Sequence, residues 1–440
     1  MEKKNLAEWL AFIEELHGGA QVIDLGLDRM LEMEKRMGIR FDIPVFTVAG
    51  TNGKGSTCAM LEAVLRSAGL RVGMHTSPHM LRFNERAWLE GREATDGELV
   101  AAFEEVEAAR NGMILSYFEF TGLAILRLFQ KAKLDALVLE IGLGGRLDAV
   151  NSIDPSVSIV TAVGVDHTAF LGPDRESIGR EKSFVYRGAP GHAAVCADPN
   201  PPKSLLAHAA EIGADLRLAG RDFRTAERED GTFDYEGPLW KLERLPRPAL
   251  AGEMQIANAA GALAVLEAAS ILFPDLPVTR EAIEAGLRSV AITGRFQKVA
   301  DAPQIVLDAG HNPHAAVELR RNLEDPRGKP AGRTIAVVGM LRDKDRLHVA
   351  GIVKDSVDEW RIASLTGPRA STADELEAEF VRAGVDSSRV RKFGDVPAAL
   401  AFARGEASPA DRIVVFGSFV TVSAAIEALR ASGISVAVVP

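Results

Sequence analysis

The chain has 440 residues, too many for one ordinary hydrophobic core, so two or three domains are expected. A content of 47% hydrophobic and 25% charged residues excludes a disordered or fibrous chain, and a formal net charge of −10 argues against nonspecific nucleic-acid binding and against an anionic membrane surface. Two cysteines, Cys58 and Cys196, offer no disulfide framework and fit a reducing cytoplasm; the charged start MEKKNLAEWLAFIEEL lacks the apolar core of a signal peptide, and no uninterrupted apolar stretch reaches the roughly 18 residues that span a bilayer.

Trp9, Leu10, Ile13 and Leu16 recur at helical spacing and predict an opening helix. Asp24 to Gly26 reads as a turn, and Asp28 as the cap of a second helix through Met37. Ile43, Val45, Phe46 and Val48 predict a strand that runs into Val48-Ala-Gly-Thr-Asn-Gly-Lys-Gly-Ser-Thr57, with a helical pattern from Cys58 to Ser67. Strand, glycine turn and helix start make a phosphate cradle. Gly50, Gly53 and Gly55 let the backbone come close and turn its N–H groups inward. The helix N-terminus adds partial positive charge and Lys54 a full one, while Ser56 or Thr57 offers a hydroxyl to Mg²⁺. The general P-loop pattern has four residues between its first glycine and the Gly-Lys pair. Here two separate Gly50 from Gly53, and Gly55 stands between Lys54 and Ser56. This short form points to one branch of nucleotide enzymes.

A short strand at 71–75 leads into the loop Thr76-Ser-Pro-His-Met-Leu-Arg-Phe-Asn-Glu-Arg86, and helices are predicted at 96–110 and 119–132. The run Ala136–Leu139 reads as a buried parallel strand ending at Glu140, followed by a glycine turn at Gly142, Gly144 and Gly145. A further run, Val157–Val163, ends near Asp166 and His167. Strands alternating with helices imply a parallel sheet covered on both faces, with ligand groups at the carboxyl ends of its strands. Val48, Leu139 and Val163 are such ends, so the motifs after them should converge. Ser77, Glu140 and His167 on three strand ends could hold one Mg²⁺, imidazole being the unusual member of the set. Lys182 falls on a helix starting near Asp174, where a lysine is ordinarily solvated.

The polar region 216–245, with Gly231 and Gly237 as turn signals, suggests a small antiparallel insertion; helices resume at 253–272 and 279–290. The domain boundary is placed at Thr293-Gly294, giving domains 1–293 and 294–440. Beyond it the alternation restarts with Ile305–Asp308, a helix from Pro313, Thr334–Gly339, a helix after Asp345, Arg361–Leu365, a helix from Ser371, Ile413–Phe416 and a final helix. The expected fold is therefore α/β: a P-loop parallel-sheet domain and a smaller C-terminal Rossmann-like α/β domain. In Asp308-Ala-Gly-His-Asn-Pro313 the carboxylate can hydrogen-bond ribose hydroxyls, and His311 and Asn312 can reach a phosphate or base. Arg295 is a cation at a hinge.

In this order, the segments TVAGTNGKGST, TSPHMLRFNER, SYFEF, LEIGLGGRLDAVN, DHTAFLGPDRESIGREK, GRFQ, DAGHNPHA, GMLRDKD and GSFVTV resemble the folylpolyglutamate synthase and dihydrofolate synthase family, within the wider Mur ligase superfamily. GPDRESIGREK, together with DEW and GPR between residues 358 and 369, is most similar to the bacterial bifunctional branch. The resemblance implies ATP-driven ligation of L-glutamate to dihydropteroate and to the glutamate tail of folates through an acyl phosphate, in a cytoplasmic monomer without nucleic-acid or membrane partners. It implies ATP contacts at Thr51, Asn52, Gly53, Lys54, Gly55, Ser56, Asn258, Arg295, Asp308 and His311. Metal ligands are implied at Ser56, Ser77, Glu140 and His167, with Lys54, Lys182 and His167 serving the chemistry. Lys182 matches a lysine often carbamylated in the superfamily, whose carbamate can hold a second Mg²⁺ and which forms only from the neutral amine. The pterin positions implied are Asp24, Leu25, Gly26, Tyr117, Phe118, Glu119, Leu147, Asp148 and Ala149, with Asp148 the candidate reader of the amino-pyrimidine edge.

Four positions depart from the family pattern: Val150 stands for threonine, Ser183 for alanine, Met254 for histidine and Val420 for the histidine of GSFHTV. Other readings stay open on the residues: a ligase of the superfamily for another acid, a monofunctional folylpolyglutamate synthase, or a nucleotide switch that transfers nothing. The pterin positions argue against another acid, and the lack of an Asn-Lys-x-Asp guanine motif argues against a switch.

Overall fold

The computed structural model describes residues 4–16, 18 and 26–439, and within them the apolar runs become strands buried on both faces. Two units form, one from residues up to Ala249 together with Ile256–Val290, the other from Leu250–Gln255 together with Ala291–Val439. The strands of the first unit are β1 (Val45–Ala49), β2 (Val72–His75), β3 (Ala87–Leu89), β4 (Arg92–Glu93), β5 (Ala136–Glu140), β6 (Val157–Val160), β7 (Ala193–Cys196) and β8 (Leu216–Leu218). They form one sheet in the order β4-β3-β2-β5-β1-β6-β7-β8. From β2 to β8 every pairing is parallel, and β3 and β4 add an antiparallel edge. This edge hairpin was not among the predicted elements. Its turn residues Glu90 and Gly91 both have positive φ (53° and 81°), the backbone that short hairpins need.

The helices of this unit are α1 (Leu6–Leu16), α2 (Asp28–Met37), α3 (Lys54–Ser67), α4 (Asp96–Arg110), α5 (Tyr117–Lys131), α6 (Thr168–Leu171), α7 (Arg175–Ser183), α8 (Lys203–Glu211), α9 (Met254–Leu272, which joins this unit from Ile256) and α10 (Arg280–Ser289). Thr95 and Ser116 start α4 and α5 with reciprocal bonds to Glu98 and Glu119. Asp28 is the first residue of α2 rather than its cap; Leu27 stands at the cap and makes no side-chain bond there. Asp24 and Leu25 of the expected turn lie outside the described residues. Helix α9 is long and apolar enough to cross a membrane by length and composition, but most of it is buried in the protein. A three-stranded antiparallel sheet, β9 (Arg224–Glu227), β10 (Phe233–Glu236) and β11 (Lys241–Leu245), occupies the expected insertion. It is fixed to α9 by Glu267, a fully buried carboxylate that accepts from the Tyr235 hydroxyl at 2.9 Å, the Leu239 N–H at 2.7 Å and the Trp240 N–H.

The second unit has six strands: β12 (Gln297–Asp301), β13 (Gln304–Asp308), β14 (Thr334–Val338), β15 (Glu359–Ala363), β16 (Val390–Phe393) and β17 (Arg412–Phe416), in the order β12-β13-β17-β14-β15-β16. All pairings are parallel except β12 with β13. Helices α11 (Pro313–Glu324), α12 (Arg346–Val353), α13 (Ala373–Arg382), α14 (Val396–Glu406) and α15 (Phe419–Ala431) flank this sheet. Strands β12 and β16 escaped prediction because both are edges with charged, exposed residues, Lys298 and Asp301 in one and Arg391 and Lys392 in the other.

Helix α3, which opens with Lys54, packs closely on α10. A Cβ added to Gly286 would lie 2.6 Å from Val64 Cα and 2.7 Å from its nitrogen, too close for either backbone to remain in place. Gly286→Ala should therefore cost about 1–3 kcal/mol, a typical overpacking penalty, read as a lower urea midpoint of the unfolding transition. An unchanged midpoint would show that this helix pair separates without cost.

Candidate functional site

The turn after β1 owes its shape to two glycines. Gly50 has φ 150° and Gly53 φ 88°, and a Cβ on Gly50 would lie 1.9 Å from the Thr161 hydroxyl oxygen. That hydroxyl lies 2.7 Å from the Asn52 carbonyl and 3.2 Å from that of Ala49, which ties the turn to the end of β6. Thr51 joins the same segment: its N–H donates to the Ala162 carbonyl at 2.6 Å, and its hydroxyl sits 3.0 Å from both the Gly164 nitrogen and the Gly164 oxygen. Across Gly53, a Cβ would meet Asn258 Oδ1 of α9 at 2.5 Å. The turn is thus preorganised by neighbours more than 100 residues away in sequence. α3 starts at Lys54, before the expected Cys58, so Gly55 belongs to the first helical turn and has no left-handed φ.

Two lysines meet at this turn. Lys54 Nζ donates to the Gly50 carbonyl at 3.1 Å, and Lys182 Nζ donates to the same oxygen at 2.9 Å. Lys182 is 4% exposed, so it is not the solvated helix lysine that its position alone suggests. Burial first, then the like charge of Lys54, bring its pKa down to about 7, against weaker opposing pulls from Asp166 and Asp148. Ser56 and Thr57 are both buried behind the turn, and the Thr57 hydroxyl has no hydrogen-bond partner among the described residues.

Glu140, 5% exposed, ends β5 beside this turn. Its Oε2 accepts the Ser77 N–H at 3.1 Å, which brings together two of the three strand-end residues expected for a metal. The third, His167, is exposed at the start of α6 in a left-handed conformation, φ 52°, and its N–H donates to Asp166 Oδ1 at 2.8 Å. No group of three His, Cys, Asp or Glu side chains gathers among the described residues. A divalent cation here would therefore rest on one carboxylate, one imidazole and hydroxyl oxygens, a set that suits Mg²⁺ or Mn²⁺ in its oxygens.

Asp148, 3% exposed, accepts from the Leu143 N–H at 2.8 Å and the Val150 N–H at 3.0 Å, and burial raises its pKa to about 6. The positive charge of Lys54 lowers it, so the carboxylate lies in the field of the phosphate turn. Phe118 borders it: a Cβ on Gly142 would meet Phe118 Cζ at 2.8 Å and Asp148 Oδ2 at 3.3 Å. Leu147 is half-buried and Ala149 buried on either side of Asp148. Tyr117 and Phe118 open α5, whereas the Glu119 carboxylate is committed to the scaffold, accepting from the Ser116 N–H at 2.7 Å and from Arg29 Nε at 2.9 Å. Sequence reasoning missed His75. This buried residue ends β2 on the side of Phe118, ring centroids 6.2 Å apart. Its Nδ1 faces the Arg86 carbonyl at 2.7 Å and so carries the proton; burial lowers its pKa to about 4, leaving a neutral ring whose Nε2 has no partner among the described residues. Its position as the last residue of a strand was the available signal.

In the second unit, Asp308 at the end of β13 accepts from the Phe296 N–H at 3.0 Å and the Gly310 N–H at 2.7 Å. Burial raises its pKa, and Arg295 opposes that rise. Arg295 lies 5.5 Å from the centre of the Phe419 ring, and His311 has its ring centre 6.5 Å from the same ring. Asn312 caps α11, accepting the Ala315 N–H at 2.9 Å. Phe419, the hub of this trio, was visible only as part of the GSFVTV segment.

Residues 48–266 match the Mur ligase middle domain and residues 294–419 the Mur ligase glutamate ligase domain. The chain is 41% identical to the dihydrofolate synthase/folylpolyglutamate synthase of Escherichia coli K12, over 97% of this chain and 96% of that one. It superimposes with a TM-score of 0.90 on E. coli FolC in complex with DHPP and ADP, at 40% identity, covering 98% and 99% of the two chains. A bifunctional folylpolyglutamate synthase/dihydrofolate synthase with Mn, AMPPNP and L-glutamate bound is 42% identical, with a TM-score of 0.88 over 97% and 98%.

The depressed Lys182 pKa has a thermodynamic consequence. The unfolded chain holds this proton up to about pH 10.4, the folded one only to about pH 7, so Lys182 makes stability rise with pH between those values. Lys182→Met should stabilise the ligand-free protein near pH 7 by a few kcal/mol, on the order of 4 at most, and this advantage should shrink as the pH approaches 10. Denaturant unfolding of both proteins at three pH values measures it; a constant gap would contradict the buried neutral amine.

Proposed function

The chain belongs to the dihydrofolate synthase/folylpolyglutamate synthase family of Mur ligases, and on that premise we propose that it joins L-glutamate to dihydropteroate and to the glutamate tail of folates, converting ATP to ADP and phosphate. The observation that carries this reading is the closeness of Asp148 to the glycine turn within one unit: beside Phe118, it lies in the electrostatic field of Lys54 and itself acts on Lys182. An acid bound by its ring at Asp148 and Phe118 would extend toward the phosphates held at residues 51–56.

A carboxylate is a poor electrophile until its oxygen takes the terminal phosphoryl group of ATP. The acyl phosphate then loses phosphate as the amine of L-glutamate attacks its carbonyl carbon, forming the amide C–N bond and releasing a proton. In our reading the backbone N–H groups of Thr51, Asn52, Gly53 and Gly55, with Lys54, hold the phosphates and steady the charge that moves between them. Asn258 contacts the nucleotide from α9. Arg295, Asp308 and His311 are the contacts expected from the second unit, Asp308 with two ribose hydroxyls as its natural partners. Ser56, Ser77, Glu140 and His167 would hold Mg²⁺, which when bound neutralises phosphoryl oxygens. Lys182 has the neutral amine near pH 7 that carbamylation requires, and its carbamate would add an anionic ligand for a second ion. Asp148 reads the pterin edge, framed by Tyr117, Phe118, Leu147 and Ala149, with Asp24 to Gly26 as the remaining expected contact. We take 1–293 and 294–440 as the functional domains and the protein as a cytoplasmic monomer. Both cysteines are buried free thiols, which agrees with a reducing compartment.

Purified protein given ATP, Mg²⁺, L-glutamate and dihydropteroate should release ADP in a glutamate-dependent manner and form dihydrofolate; tetrahydrofolate in place of dihydropteroate should gain glutamate residues. ADP release indifferent to glutamate would end the proposal, and turnover with one acid only would make the enzyme monofunctional. Lys54→Ala should abolish both reactions. Asp148→Ala should raise the KM for dihydropteroate about tenfold or more while leaving ATP affinity as it was, the loss expected for a charge-assisted pair. An equal KM in this variant would remove Asp148 from the pterin pocket.

A further inference from the structure

The loop Thr76–Arg86 contributes Ser77 to the site, yet two of its side chains have no part in the reading above. Arg86 is one. Burial depresses its pKa, and among the described residues its guanidinium forms no ion pair. The neighbouring acid, Glu85, is turned away: its carboxylate accepts the N–H groups of Met80, Leu81 and Arg82 at 2.5–2.7 Å. Arg86 is held from other sides. Its Cζ lies 5.5 Å from the Phe83 ring centre and 5.8 Å from that of Tyr117, and its Nε donates to His79 Nδ1 at 2.9 Å. Its carbonyl is pinned by His75 Nδ1 at 2.7 Å.

The second side chain is His79. Arginine can only donate, so Nδ1 of His79 is the acceptor. With Nδ1 taken up by Arg86 Nε, the ring proton of His79 sits on Nε2. Arg86 and His79 thus present only donors: both guanidinium Nη groups and one imidazole N–H. Arg86 is half-buried and the one acid acting on it, Glu85, is spent on the loop backbone; the cost of desolvating such a cation is relieved by an anion that brings its own hydrogen-bond acceptors. The planar fork of a guanidinium matches a carboxylate. Tyr117, against which Arg86 lies, opens the helix we assign to the pterin pocket.

We propose that Arg86, fixed by His79, is the seat for the carboxylate end of the pteroyl acid. The assignment rests on the pteroyl-acid reading above and deepens it, because it says which group of the substrate this loop recognises. Asp148 would then take the ring end and Arg86 the acid end, on the same loop whose Ser77 N–H bonds Glu140 beside the glycine turn.

The test compares pteroate with its uncharged carboxamide, which keeps the ring and loses the charge. Calorimetry would measure both ligands on the wild type, Arg86→Gln and Arg86→Lys, with ADP affinity as the check that each variant is folded. The wild type should prefer the acid by about tenfold or more, the worth of a charge-assisted bidentate pair. Arg86→Gln should bind acid and amide alike, with amide and ADP affinities at wild-type values, and Arg86→Lys should keep part of the preference. An acid-to-amide ratio unchanged in Arg86→Gln overturns the proposal. So does an equal loss for both ligands, which would make Arg86 a packing residue. If the wild type binds neither ligand, the pteroyl-acid reading itself falls, an outcome distinct from the other two.

Discussion

One oxygen organises the first unit: the carbonyl of Gly50, to which both Lys54 and Lys182 donate. For that oxygen to face two amines the backbone must turn at a position where no side chain fits, since a Cβ on Gly50 would run into the Thr161 hydroxyl. The constraint acts in both directions. Thr161 fixes the turn, and the turn fixes where α3 begins and where α7 delivers its lysine. Two like charges held against one dipole also repel, and that repulsion adds to burial in bringing the Lys182 amine toward neutrality.

The surroundings extend the same economy of polar groups. Carboxylates in the first unit are held largely by backbone N–H groups. Glu119 joins a helix start to Arg29, and Glu85 gathers three successive N–H groups of its own loop. Asp148 and Glu140 also accept backbone N–H bonds, the one just after the glycines 142–145 and the other at the end of β5. The histidines divide: His75 and His79 are neutral and oriented by Arg86, one by its carbonyl and one by its guanidinium, whereas His167 is exposed in a left-handed backbone conformation. A left-handed residue that is not glycine carries local strain, and such strain is common where a side chain must be aimed.

Much of this was legible in the sequence, for identifiable reasons. Apolar runs such as Val45–Ala49 and Ala136–Glu140 are buried on both faces, so their composition alone marks them as central parallel strands. The glycine turn was legible because its residues are contiguous. The short antiparallel sheet was legible from its polarity and turn glycines. What stayed hidden depends on long-range packing. Nothing near Thr161 in the chain shows that it lies against Gly50, and a lysine in GREK gives no local sign of being buried. The start of α3 was placed too late because the helix pattern became visible only at Cys58, while the helix itself starts at Lys54. Edge strands β4, β12 and β16 were missed because charged, exposed residues blur the alternation on which strand recognition relies, and β3 because its three residues are too few to show a period.

The buried Glu267 gives the small three-stranded sheet a status that its exposed, charged surface conceals. Excising residues 224–245 to make a leaner enzyme would strip that carboxylate of the tyrosine and backbone donors that satisfy it, leaving a naked anion inside α9, the helix that also carries Asn258 to the glycine turn. The hairpin tip at Asp230-Gly231 makes no such demand, because Asp230 is exposed and its carboxylate is met within the ribbon itself, by Thr232 and Arg244. Protein engineers wanting to graft a reporter peptide or affinity handle would find their permissive address there, and a forbidden one at the far end of the same ribbon.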